Sequence, residues 1–176
     1  SALPVTSNVA GPADKSVTYY IGATAILFLM FAAMQGASIS IDERRSGISE
    51  RLMVGPSGAL AMLTGKFLFL TLIGVLQAIV IIAVANLFFG VRILPFLEGL
   101  VVASLGTAML AAGLALFTAA LCATQTQMHT ISTFLVLLFS AVGGSMVPRF
   151  MMPGWLQSLG IATPNYWVIE AYYGLL

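Results

Sequence analysis

Charge is what this sequence has least of. Seven Lys and Arg and six Asp and Glu make up only 7% of its 176 residues, whereas 60% are hydrophobic. A soluble domain carries roughly a quarter of its residues as charged side chains. This chain cannot clothe a water-facing surface, and the bilayer is its natural solvent. A net charge of +1, with no Arg/Lys stripe interleaved with aromatics, excludes a nucleic-acid-binding face. Cysteine is nearly absent too. Cys122 stands alone, so it can form no intrachain disulfide, and with no Cys or His at metal-ligand spacing it reads as a small apolar residue near a helix end. His129 is the only histidine, and no acid or nucleophile lies near it in sequence. No catalytic set and no metal site is therefore expected. The opening SALPVTSNVAGPADKS lacks the basic start and apolar core of a signal peptide, and without an initiator Met the chain reads as a fragment or processed product.

What the sequence does have is long apolar runs. A helix needs about 20 mostly apolar residues to cross the hydrocarbon core. Four stretches qualify, at about 19–41, 67–89, 99–121 and 130–147, and none contains Asp, Glu, Lys, Arg or His. Lys66, just before the second, can snorkel to the interface. Between the first two spans lie Arg44, Arg45, Arg51 and Lys66, four of the seven basic residues. The second connection has only Arg92, balanced by Glu98, and the third, CATQTQMH, has none. By the positive-inside rule the first connection is cytoplasmic, and the N-terminal segment and the tail after Val147 are outside. Pro148, Pro153 and Pro164 cut that tail into pieces too short to cross. Its GWLQSL and YWVIEAYYGLL pieces suit short helices lying at, or dipping into, the interface. The fold class read from this pattern is an all-α membrane protein of about four transmembrane helices, with a short cytoplasmic helix and short extracellular or re-entrant ones.

The stretch SISIDERRSGISERLMVGPSG, residues 38–58, concentrates six of the thirteen charges. Gly47 can cap a helix start, which places Glu50 in the first turn, where a carboxylate favours the positive end of the dipole. Ile48 and Leu52, four apart, share a face, and Pro56 ends the helix. A helix of about two turns, tethered to two spans, suits a part that receives a push from a cytosolic partner. The blander reading is a solvated connector whose charges only set topology.

These residues resemble the first cytoplasmic loop of ABC-2 type transporter permeases, which reads Glu-x-x-x-Gly-Thr/Ile-x-Glu-Arg-Leu, then a small-Pro turn, then Gly-Lys. Glu43, Gly47, Ile48, Glu50, Arg51, Leu52, Pro56, Gly65 and Lys66 fill that pattern. The tail is similar to the same family's, through Gly143, Gly144, Pro148, Met152, Pro153, Trp155, Leu156, Pro164 and Trp167. The resemblance implies a permease domain over 19–176, preceded by the end of an extracellular segment over 1–18, with the family's first and last spans missing. It implies a coupling helix, carried by Glu43, Gly47, Ile48, Glu50, Arg51 and Leu52, that docks on a separate ABC ATPase subunit. ATP and Mg would be held by that partner, with no cofactor in this chain. It also implies a second permease copy, contact with membrane lipid, and a multi-pass place in the plasma membrane of a bacterium or archaeon.

Three mechanisms compete. An ATP-driven exporter takes its energy from outside the membrane and needs no titratable groups in its spans. An ion-coupled secondary transporter or channel usually places Asp, Glu, His or Arg inside them. An intramembrane enzyme needs an acid–base set. The intramembrane polar groups here are neutral, chiefly Gln35, Ser38, Gln77, Asn86, Ser104, Thr107 and Ser140, which favours the exporter. Gln35, Gln77 and Asn86 are candidates for a substrate pathway, although Gln35 and Gln77 have the commoner alternative of bonding between helices. Gly22, Ala25, Ala32, Ala33 and Gly36 on the first span, and Gly99, Ala103 and Gly106 on the third, permit close helix approach, within the chain or across a dimer seam. A lumen of Met, Phe and neutral polar groups suits amphipathic drugs, lipids or a lipid-linked precursor.

Overall fold

Apolar runs longer than the hydrocarbon core is thick must satisfy their own backbone hydrogen bonds, and a helix does so locally. The computed structural model describes residues 12–48, 58–89, 96–148 and 151–175, with side chains from Tyr19 onward. These form α1 (Pro12–Arg45), α2 (Gly58–Phe89), α3 (Leu97–Leu121), α4 (Gln125–Gly143), α5 (Gly154–Gly160) and α6 (Pro164–Leu175), with no strand among the described residues. The first four are long and apolar enough to cross a membrane.

α1 begins at Pro12 rather than Tyr19, within the stretch read as the end of an extracellular segment, and the helices also overrun the expected spans at the end where charge collects. α1 continues through Asp42–Arg45, because Arg44 and Arg45 in its last turn suit the negative end of the helix dipole. α2 begins at Gly58 rather than Phe67, so Gly65 and Lys66 lie inside the helix. α4 starts at Gln125 rather than Thr130 and stops at Gly143: the Thr124 hydroxyl accepts from Gln127 N at 3.0 Å, and Gly144 takes φ +99°. The third connection thus shrinks to residues 122–124, and His129 is helical and exposed. Cys122 is buried at the C-cap of α3. In the tail, Pro153 and Pro164 stand at helix starts, where a missing N–H costs nothing, and the two expected short helices are α5 and α6.

α1 is the central post and packs against α2, α3, α4 and α6. Its Ala25, Ile26, Leu29 and Met30 are wholly or almost wholly buried. α2 shows Leu68, Phe69, Leu72 and Val80 to the outside. Apolar exposure on this scale suits lipid rather than water.

α6 lies across the end of the bundle opposite the charged turn. Its Asn165 donates to Ser140 Oγ at 3.3 Å on α4 and to Ser145 Oγ at 2.9 Å just beyond it. Further along, Tyr172 is fully buried and shares a 2.8 Å hydrogen bond with Ser104 of α3. Leu175 reaches Gly99. Tyr19 closes the same end by donating to Gly144 O at 2.6 Å. Tyr20, Trp155, Trp167 and Tyr173 are exposed around this far end, the composition of an interfacial aromatic belt.

Candidate functional site

The charged end gathers the C-termini of α1 and α3 and the N-termini of α2 and α4. Three successive residues of α1 reach three different helices. Asp42 accepts a hydrogen bond from Gln125 Nε2 at the start of α4. Glu43 forms an ion pair with Lys66 of α2, and Lys66 also donates to Ser40 Oγ at 3.1 Å. Arg44 donates through Nη2 to the carbonyl of Ala119 in the last turn of α3. That carbonyl belongs to the set a helix leaves without an intrahelical partner, at the negative end of the dipole, where a cation is favoured. The side chains of Lys66 and Glu43 keep 20% and 31% of their exposure, so their pair is only partly screened by water.

Gly47 follows directly. Its φ is +72°, while Ser46 N bonds Asp42 O at 2.8 Å and Gly47 N bonds Arg44 O at 3.3 Å. The left-handed residue therefore closes α1, where the sequence suggested the capping start of the next helix. Only glycine takes this conformation without strain. Ile48 has helical backbone and is exposed. Of the six residues expected to meet a partner, Glu43, Gly47 and Ile48 stand together here, while Glu50, Arg51 and Leu52 lie outside the described residues.

The substrate-pathway candidates do not converge. Gln35 is exposed on α1, two turns above Asp42. Gln77 is half-buried on α2, with its Oε1 buried and unpartnered. Asn86 is exposed 20 residues beyond Lys66 on the same helix, about 30 Å along it. Several other neutral polar groups have structural partners. Ser104 and Ser140 bond to α6, whereas Ser38 and Thr107 bond back to their own helix at Gln35 O and Ala103 O, both at 2.7 Å. Such back-bonding hides a hydroxyl inside hydrocarbon. Among the described residues no three His, Cys, Asp or Glu side chains are grouped to hold a metal.

From sequence alone Asp42 and Arg44 read as loop charges and Lys66 as a snorkelling anchor, and nothing marks Gln125 as a partner. The position of Arg44 at a helix end was a signal, but its partner 75 residues away was not. Of the small residues, Gly22 and Gly36 serve packing within the chain: a Cβ on Gly22 would sit 2.9 Å from Tyr172 Cβ, and one on Gly36 would sit 2.5 Å from a Leu70 methyl. Nothing approaches the Cβ position of Gly106 within 4 Å.

A family model described as ABC-2 family transporter protein matches residues 2–176. No curated protein and no solved structure matches.

Proposed function

This chain belongs to the ABC-2 family of transporter proteins, a permease component of an ABC transporter, and from that premise we propose that it exports an amphipathic, lipid or lipid-linked substrate with energy from a separate ATPase subunit. The observation that carries the reading is where charge is and is not. Residues 19–41, 67–89, 99–121 and 130–143 hold no ionisable side chain apart from Tyr19 and Tyr20 at the edge of the first, so these stretches offer no carboxylate or histidine relay for ion coupling. The charged groups of the first connection instead grip the ends of the spans, where a soluble motor can reach them. Glu43, Gly47, Ile48, Glu50, Arg51 and Leu52 form the contact with that motor, which holds ATP and Mg.

A second copy of the permease completes the path. Thr24 and Gln35 on α1, and Thr130 and Thr133 on α4, are exposed on faces the chain itself leaves uncovered. Polar side chains there are better placed against another protein surface than against lipid. Gln35, Gln77 and Asn86 line parts of the route rather than one pocket.

The test is purification of the full-length membrane protein in mild detergent. An ATPase subunit is expected to accompany it, and added amphipathic compounds are expected to stimulate hydrolysis. Solute flux driven by a proton or sodium gradient, with no nucleotide-consuming companion, would overturn the reading. Orientation has its own check. A cysteine at exposed Ser158, or at neighbouring Gln157, is expected to react with an impermeant reagent only from outside. Reaction only from the cytoplasm would reverse the assignment of the charged end.

A further inference from the structure

Successive residues of an α-helix point about 100° apart. Asp42, Glu43 and Arg44 therefore fan around the end of α1, and because α1 is the central post, each direction meets a different neighbour. Asp42 holds α4 through Gln125, Glu43 holds α2 through Lys66, and Arg44 holds α3 through Ala119 O. The α3 and α4 attachments sit on either side of the turn at 122–124, so this hairpin is gripped on both sides of its turn. Charges that served topology alone would need no such partners; counting them in the flanking loop would suffice.

We infer that the last turn of α1 is a three-armed clamp that carries displacement of the following segment to α3 and α4 as one body. Arg44 and Asp42 are its outgoing arms, and Glu43 with Lys66 is the anchor to α2. This rests on the reading of the segment after Gly47 as the place where the ATPase pushes. All three residues act through others and are positioning residues. Arg44 matters most, because a guanidinium on a bare helix-end carbonyl is a charge-assisted bond and answers the α3 dipole as well. The arms leave from one rigid helical turn, so a tilt of that turn moves the α3–α4 hairpin without first bending α1.

The test uses the full-length permease with its ATPase in lipid nanodiscs, on a Cys122→Ala background. Spin labels go on Ile48→Cys or Thr126→Cys, each paired with a reference on Ala171→Cys at the far end, and distances are measured without nucleotide and after trapping with ATP and vanadate. In the parent, both the 48–171 and 126–171 distances are expected to change on trapping. In Arg44→Gln combined with Asp42→Ala, the change at 48 is expected to persist and the change at 126 to vanish, with Arg44→Lys alone keeping both. Matching nucleotide-free distances show that the variant is folded. A parent in which position 48 moves and 126 does not overturns the clamp alone, as does a double variant in which both still move. A parent in which neither moves overturns the clamp together with the coupling reading beneath it.

Discussion

Replacing Gly47 by proline is expected to separate ATP hydrolysis from transport while leaving the four spans inserted. Gly47 sits at φ +72° and donates its N–H to Arg44 O. Proline has no N–H and is held near φ −65°, so the closing turn of α1 must be rebuilt and the following segment leaves in another direction. A side chain forced into the left-handed region costs about 1–2 kcal/mol even without proline's restriction, so Gly47→Ala is expected to give a milder version. The Cβ of an alanine would meet nothing within 4 Å, which isolates the backbone effect from crowding. α1 itself ends at Arg45 and keeps its own hydrogen bonds. Transport per ATP is expected to fall about tenfold or more, the factor corresponding to about 1.4 kcal/mol. Reversing the charges of Glu50 and Arg51 together is expected to act in the same direction. Transport per ATP at the parent level in these variants counts heavily against a coupling role for the segment.

Crowding the far end is expected to have the largest effect on stability. A Cβ on Gly22 would lie 2.9 Å from Tyr172 Cβ and 3.3 Å from Ile169 Cα. The second of these is backbone, so Gly22→Val must push α6 away from α1. Overpacking costs about 1–3 kcal/mol. Lifting α6 also strains the 2.8 Å bond between Tyr172 and Ser104, and a buried hydroxyl left without a partner costs about 1–3 kcal/mol more. A fall in melting temperature is expected in detergent or nanodiscs, with α6 becoming accessible to protease. Gly106→Val is the matched control on α3, where nothing lies within 4 Å, and it is expected to melt near the parent temperature. Equal losses in the two variants would show that the close approach of α6 to α1 is not what Gly22 serves. A loss of oligomer confined to Gly106→Val would place that glycine at the seam between copies.

The outcomes of individual elements separate local from distant causes. Four long helices and an α5–α6 tail were legible because burial in hydrocarbon and proline interruption are properties of a residue and its near neighbours. Boundaries were less so. α4 starts five residues before the expected 130 because the Thr124 hydroxyl caps it, and polar Thr and Gln are tolerated in a first turn that meets water. α2 starts nine residues early, since nothing in Gly58–Lys66 breaks a helix after Gly58 itself, which takes φ +62°. Gly47 was legible as a turn residue but not as the end of one helix rather than the start of the next; both use glycine, and only the φ angle tells them apart. Glu43, Gly47 and Ile48 stand together at the end of α1, a juxtaposition that follows from their nearness in sequence. Gln35, Gln77 and Asn86 share chemistry but not a place.

The amino-acid sequence by itself determined that this chain lives in a membrane, that its four apolar runs carry no Asp, Glu, Lys or Arg, and that its charge collects after the first of them. Each of these depends on transfer free energies that add residue by residue along the chain. Which helix stands at the centre, which side chains of α6 plug the far end, and which neighbour each of Asp42, Glu43 and Arg44 takes hold of were decided only by the tertiary structure. Those partners lie between 23 and 83 residues away, and a contact at that separation exists only after the helices have packed.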